Sequence, residues 1–154
     1  MEEQLNQLDV QRIAQLGASC PLRHLRMATR VATQLYDEVL KPTGLRSTQV
    51  SVLVAATLLE PVTITRLAEV LVMDRTTLTR NLKPLEREGL VRVAPGDDQR
   101  TREVTLTSRG KEMVAKAVPQ WEEAQARVVG ELGEKWRHDL LENLSALVSL
   151  SREI

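Results

Sequence analysis

Apolar residues recur every three or four positions along most of this chain, the spacing that places them on one face of an α-helix. The first clear stripe covers residues 22–40, and Pro42 and Gly44 should end that helix. Ser47 can cap a second helix, which Pro61 ends. The first twenty residues carry a weaker pattern, typical of a loose arm or a short helix. The N-terminal third of the chain is therefore predicted to be helical.

Two shorter helices with a tight connection are predicted next. Apolar residues between Ile64 and Leu71 mark a helix of about two turns. Residues 72–74 leave room only for a turn, and Asp74 is a good N-cap for a helix over residues 75–88, which Gly89 ends. This order of elements is typical of a helix-turn-helix.

Two extended runs follow the second short helix. Residues 90–93 and 103–106 flank the polar stretch Pro95-Gly96-Asp97-Asp98. Strand-forming residues on both sides of a turn-forming segment predict a β-hairpin, here with a long polar tip.

The C-terminal part is predicted to form two more helices. Thr107 or Ser108 can cap a long helix, which Pro119 should bend. Gly130 and Gly133 should break it, and a final apolar stripe runs on nearly to the C-terminus.

The predicted fold class is mainly α with a small β-hairpin wing, a winged helix-turn-helix with N- and C-terminal dimerisation helices. We expect residues 1–154 to form a single domain with the DNA-binding region at residues 46–107. Residues 1–45 and 108–154 carry apolar stripes that the small central unit cannot cover alone. A second copy of the chain would cover them, so these segments are predicted to form a homodimer.

Charge is distributed unevenly although the net charge is zero. Residues 75–102 hold seven cations and four anions, whereas residues 1–20 and 111–154 are both net negative. A phosphate backbone responds to a local basic patch and not to the global sum, and a two-fold dimer would present this patch twice.

The helix over residues 75–88 is the strongest candidate for contact with DNA. If its leucines face inward, small hydroxyls and long cations face outward or flank that face, where they can reach base edges and phosphates. A solvated surface helix would look similar, but the outward positions hold no acid and a short capped helix precedes this one. The predicted DNA-binding residues here are Arg75, Thr76, Thr77, Thr79, Arg80, Lys83 and Arg87.

The hairpin tip supplies the second candidate contact. Arg100 could enter the minor groove, where a narrow groove attracts a guanidinium group, and Arg102 lies close behind it in sequence. Asp98 would then be structural and hold the tip through hydrogen bonds to its own loop. The alternative is an ordinary solvent-exposed turn.

Several of these segments together resemble the MarR family of bacterial regulators: residues 65–69 (TRLAE), 74–80 (DRTTLTR), 85–91 (LEREGLV), 98–100 (DQR) and 106–110 (LTSRG). The resemblance implies a dimer whose terminal helices interlock above two winged domains. It also implies that Arg100 reads the minor groove and that the helix beginning at Arg75 reads the major groove. Many members respond to small phenolic or other lipophilic ligands, so an effector of that kind is one partner the resemblance suggests.

Cys20 is the single cysteine, so any disulfide must join two chains. Some relatives sense organic peroxides through a cysteine near the start of the first helix, but an alignment on Tyr36 and Gln49 places that position near Leu22. Two readings stay open for Cys20: an ordinary packing residue, or a redox-active residue that forms an intersubunit disulfide. His24 and Cys20 from two copies could bind zinc, but no second cluster supports this, and we expect no metal.

The sequence lacks a nucleophile–base pair, a glycine-rich phosphate loop and a cofactor motif, so neither an enzyme nor a cofactor is predicted. Its first residues lack the pattern of a signal peptide and no apolar run could span a membrane, so we expect a cytoplasmic protein without membrane contact. The predicted function is a transcriptional repressor that binds a pseudo-palindromic double-stranded operator. A winged-helix module that binds protein instead of DNA is the remaining alternative.

Overall fold

The structure is a computed structural model that describes residues 9–150. Helices dominate it, and three short strands lie in its middle. The elements in chain order are α1 (Val10–Ser19), α2 (Pro21–Leu40), α3 (Ser47–Leu59), β1 (Val62–Thr63), α4 (Ile64–Val70), α5 (Arg75–Arg87), β2 (Val91–Pro95), β3 (Arg102–Leu106), α6 (Ser108–Leu132) and α7 (Glu134–Ser149). This order confirms the predicted fold class.

The hydrophobic core lies where α3, α4 and α5 pack on one another and on the strands. All three leucines of the predicted inward stripe of α5, Leu78, Leu82 and Leu85, are buried. A fully buried leucine contributes about 1.5–3 kcal/mol relative to an exposed one, so this stripe determines how α5 is oriented. The remaining core residues come from α3, α4, the strands and α6, together with Leu40 at the end of α2 and the loop residues Leu45 and Leu90.

A third strand accompanies the predicted hairpin. Val62 pairs with Val104 and Thr63 with Glu103, so β1 extends the sheet in the order β1-β3-β2. The sequence predicted only β2 and β3, and with shorter bounds. Two residues are too few to show the alternation by which a strand is recognised, and the pairing partner of β1 lies some forty positions away.

The segment that follows β3 locks the hairpin to the start of α6. The hydroxyl of Thr107 donates to the carbonyl of Gly89 at 2.6 Å and accepts from the N–H of Gly110 at 3.0 Å. Gly110 lies so close to the backbone of Leu90 that a Cβ atom at Gly110 would be 2.0 Å from the carbonyl oxygen of Leu90. Only glycine fits at this crossing.

One helix start differs from the prediction, and the break predicted at Gly130 is absent. Arg46, and not Ser47, is the N-cap of α3; Ser47 is buried in the first turn, and its N–H donates to Oδ1 of Asp37 at 2.7 Å. Helix α6 continues through Pro119 and Gly130 and ends at Gly133, whose φ is +89°. An isolated glycine costs a helix only about 1 kcal/mol, which is too little to break a helix packed along a core.

The turn between α4 and α5 contains a residue in an uncommon conformation. Val72 has φ of +52°, in the left-handed region that β-branched residues rarely adopt. The N–H of the next residue, Met73, donates to the carbonyl of Ala68 at 2.9 Å and closes the turn. The tight connection predicted for residues 72–74 is therefore present.

The contacts divide the described residues into two units, one that ends at Leu35 and one that begins at Tyr36. Neither α1 in the first unit nor α7 in the second has a buried residue. No helix within residues 9–150 is long and apolar enough to cross a membrane. Large apolar side chains exposed on the terminal helices include Val10, Ile13, Leu16, Leu22, Met27, Val31, Leu132, Leu141 and Leu147.

Candidate nucleic-acid interface

Asp74 caps the helix that carries most of the candidate site. Its carboxylate accepts from the N–H of Thr77 at 2.8 Å and from the hydroxyl of Thr77 at 2.6 Å. These bonds, led by the one from the hydroxyl, hold the pKa of Asp74 below its usual value. Because the folded-state pKa is lowered, the cap stabilises α5 above the usual carboxyl pKa and loses its effect as the pH falls.

The outward face of α5 forms an open groove, which we call the reading groove. It has a volume of 560 Å³ and is lined by Arg75, Thr76, Thr79, Arg80 and Lys83. All five side chains are exposed, and the three cations form no ion pair with any residue of the described part of the chain. The groove is therefore positively charged and open to a polyanion.

The predicted threonines differ in what their hydroxyls can do. The hydroxyl of Thr77 donates to Asp74, as described above, and the side chain is half-buried. The hydroxyl of Thr79 donates to the carbonyl of Arg75 at 2.7 Å. Thr76 is exposed, and its hydroxyl has no partner among residues 9–150. Of the three, Thr76 is the one with a hydroxyl free to donate to a base or a phosphate.

Pro84 lies inside α5 and does not end the helix. The helix runs on to Arg87, and Leu85 is fully buried beyond the proline. Arg87 is exposed in the last turn and does not line the reading groove. The structure thus brings together five of the seven predicted residues of this helix and leaves Thr77 and Arg87 outside.

The wing, which is the hairpin of β2 and β3 with the loop between them, has a tip ordered by Asp98. Its Oδ1 accepts from the N–H of Arg100 at 2.9 Å, and its carbonyl accepts from the N–H of Thr101 at 2.8 Å. The hydrogen bonds predicted for Asp98 within its own loop are therefore present. Arg100 and Arg102 are both exposed and form no ion pair with a described residue.

A second cleft adjoins the reading groove, and the sequence did not predict it. It has a volume of 250 Å³, and Arg80 lines both spaces. The only sequence signal is an arginine and two polar residues at the predicted start of α3, to which the sequence analysis assigned no role in DNA binding. We call it the α3–α5 cleft; its lining residues are Arg46, Thr48, Gln49, Arg80, Asn81 and Pro84.

Cys20 is half-buried between the end of α1 and the start of α2. Its carbonyl oxygen lies 2.9 Å from Nδ1 of His24, within hydrogen-bond distance. Cys20 also lines a shallow groove on α2 together with three arginines, Arg23, Arg26 and Arg30.

An apolar cavity of 560 Å³ lies between α3 and α6. Trp121 on its wall packs against the core and meets Tyr36 edge to face, with 5.0 Å between the ring centroids. Trp121 is therefore part of the hydrophobic packing, and burial raises the pKa of the Tyr36 phenol. The other lining residues include Val54, Leu58, Val118 and Glu122.

Comparison with known proteins gives a consistent result. The sequence model of the MarR family matches residues 45–101. YwoH of Bacillus subtilis, described as an uncharacterized HTH-type transcriptional regulator, is 31% identical over 90 residues, which are 58% of this chain and 66% of YwoH. A regulator of the same description from Bacillus cereus is 30% identical over 105 residues, which are 68% of this chain and 69% of the relative.

A solved structure extends the similarity to nearly the whole chain. The transcriptional regulator MosR of M. tuberculosis, crystallised in complex with DNA, is 37% identical. The match covers 88% of this chain and 98% of MosR, with a TM-score of 0.79. The similarity therefore includes the helices on both sides of the winged helix-turn-helix.

Proposed function

The chain belongs to the MarR family of transcriptional regulators, and we propose that it acts as a homodimeric repressor that binds a pseudo-palindromic operator sequence-specifically. Repression would follow from occupying the operator. We further propose that the protein works in the cytoplasm, where the DNA is, without enzymatic activity and without a cofactor.

One observation carries this proposal: the reading groove holds three unpaired cations and no acid. The inward leucines of α5 present these cations on a helix narrow enough to enter the major groove. The wing presents Arg100 and Arg102 as further unpaired cations for the adjacent minor groove. A protein-binding winged helix would have no need for an acid-free face.

The exposed apolar side chains of the terminal helices support the homodimer. Leu22 on α2 is 63% exposed and Leu141 on α7 is 52% exposed. Exposed apolar side chains of this kind favour burial in an interface, and a second copy of the chain would supply complementary helices to bury them. Residues 1–45 and 108–154 are thus proposed as the dimerisation segments and residues 46–107 as the DNA-binding region.

Binding to a duplex selected from a random-sequence pool tests the proposal. A dimer with two reading helices should select half-sites whose centres lie roughly 10 base pairs apart. Fluorescence anisotropy should show affinity that falls steeply with salt, because several cations displace counterions from the DNA. Absence of any selected sequence, together with a salt-independent interaction, would favour the protein-binding alternative.

Arg80 and Arg100 should make separable contributions to binding. Arg80→Ala should cost about 1–3 kcal/mol and relax the base preference at one position of each half-site, if Arg80 contacts a base edge. Arg100→Ala should weaken binding and reduce the salt dependence, because it removes a cation from the minor groove.

Both arginines are exposed, so neither variant should alter thermal unfolding. Gln99→Ala, at the exposed neighbour of Arg100, is the matched control and should bind like the wild type. If Arg80→Ala and Arg100→Ala also bind like the wild type, the DNA contacts a different face of the protein.

We also propose that the apolar cavity between α3 and α6 accepts a small lipophilic or phenolic effector. Its wall is formed mainly by aliphatic residues and Trp121, and its 560 Å³ is within the range of small-molecule sites. Because α3 and α6 both contact β3, an occupant of this cavity could alter the position of the wing.

Redox regulation through Cys20 is a second candidate, since this half-buried cysteine is free and lines a groove that opens to the surface of α2. Mild peroxide should then produce a covalent dimer on a non-reducing gel, and Cys20→Ser should not form it. A disulfide requires the two Cα atoms to lie within about 7 Å. A chain that stays monomeric on this gel, with unchanged DNA affinity, would leave Cys20 a packing residue.

A further inference from the structure

We propose that the α3–α5 cleft holds a phosphate group of the operator backbone, which makes Arg46 a DNA-contacting residue outside the reading helix and the wing. The inference rests on the proposed function, since it assigns a second contact to the same duplex. It concerns the N-cap residue of α3, an element to which the sequence assigned no contact with DNA.

The first argument is continuity with the reading groove. Arg80 lines both the reading groove and the α3–α5 cleft, so the two spaces meet at this side chain. A duplex whose major groove receives α5 must pass its sugar–phosphate backbone along the flank of that helix. The cleft lies on this flank, where Arg46 and Thr48 at the start of α3 approach Arg80 and Asn81 of α5.

The second argument is charge. Arg46 and Arg80 both line the cleft, and no acid lines it. Arg46 is exposed, and its guanidinium group has no partner among residues 9–150, nor has the exposed hydroxyl of Thr48. The nearby carboxylate of Asp37 is half-buried and accepts the N–H of Ser47. Two cations and a free hydroxyl therefore line this cleft.

The third argument is that the geometry suits a phosphate better than a base. A base edge can be reached only from a side chain that enters the groove, and on this side α5 occupies that position. Arg46 belongs to a different helix and lies beside α5. Guanidinium and hydroxyl groups that approach from the side contact the backbone, where they determine the register of the protein on the duplex.

Substitution of Arg46 can leave the fold intact. At the start of α3 its backbone N–H donates to Oε1 of Gln49 at 2.9 Å, and its carbonyl accepts from Val50 at 3.0 Å. Both bonds use only the backbone of Arg46. Arg46→Ala therefore removes the cation and retains the start of the helix, which circular dichroism and thermal unfolding can verify.

The experiment compares Arg46→Ala, Arg46→Lys and the wild type on the selected operator and on a scrambled duplex of equal length. Arg46→Ala should weaken binding to both duplexes by a similar factor, about 5- to 20-fold at low salt. The slope of log affinity against log salt should fall by about 1, because one phosphate contact is lost. Arg46→Lys should keep the wild-type slope, since it keeps the charge. The control is Lys116→Ala, an exposed cation on α6, which should change neither quantity.

Ethylation interference then identifies the phosphate. Ethylation of one particular backbone phosphate in each half-site should prevent the wild type from binding. The same ethylation should not weaken the binding of Arg46→Ala. If the wild type binds its operator but Arg46→Ala has the same affinity, slope and interference pattern, the cleft does not bind the backbone. An effect of Arg46→Ala on the operator alone would indicate a base contact and would also overturn the inference. If the wild type binds neither duplex, the proposed function itself fails.

Discussion

Leu144→Asp is expected to convert the proposed dimer into a monomer and to abolish operator binding at the same time. Leu144 is half-buried on α7, a helix without a fully buried residue. Of its neighbours on the apolar side of the helix, Leu140 is half-buried and Leu147 is 47% exposed. The proposed dimer would bury this side. An unpaired carboxylate buried there costs several kcal/mol, and each dimer contains two of them.

Sedimentation velocity and fluorescence anisotropy measure the two losses together. A destabilisation of about 3 kcal/mol or more raises the dimer dissociation constant by at least about 100-fold. Operator affinity should fall in parallel, because a monomer holds only one half-site. Ser145→Asp, an exposed position on the same helix, introduces the same charge and should remain dimeric. A folded Leu144→Asp dimer that still binds DNA would place the dimer interface elsewhere.

Gly110→Ala should strongly destabilise the winged unit. The added Cβ would lie 2.0 Å from the carbonyl oxygen of Leu90 and 3.0 Å from its carbonyl carbon. Overpacking typically costs about 1–3 kcal/mol, and this case should reach the upper end or exceed it because a backbone carbonyl cannot rotate away. Relief of the clash would require the start of α6 to move away from Leu90, which would break the bond of Thr107 to Gly89.

Urea denaturation compares the stability of Gly110→Ala with that of Gly130→Ala, a variant at another glycine of the same helix. At Gly130 an added Cβ meets nothing within 4 Å, so alanine should stabilise the protein by up to about 1 kcal/mol through its higher helix propensity. Gly110→Ala should move the midpoint in the opposite direction and weaken operator binding, because the wing is anchored at this junction. Equal midpoints for the two variants would show that the chain can relax around Gly110.

Features that depend on neighbours in the sequence could be predicted from the sequence. The stripe of Leu78, Leu82 and Leu85 predicts the buried face of α5 because helical periodicity relates residues three or four positions apart. The cap at Asp74 uses atoms of Thr77, three residues away, and the bond of Asp98 to Arg100 spans two. Residue types alone therefore indicated which face of α5 is buried, where α5 begins and which residues form the loop of the wing.

Features that join distant segments were decided only by the tertiary structure. Strand β1 becomes recognisable through its pairing with β3, and Gly110 is required only because α6 crosses the chain at Leu90. Arg46 comes to line a cleft with Arg80, thirty-four positions away, because α3 and α5 pack on a shared core. Local pattern cannot encode such neighbours, since they depend on how helices with buried apolar faces pack together. That packing brought Arg46 and Thr48 beside the surface of α5 that the sequence predicted.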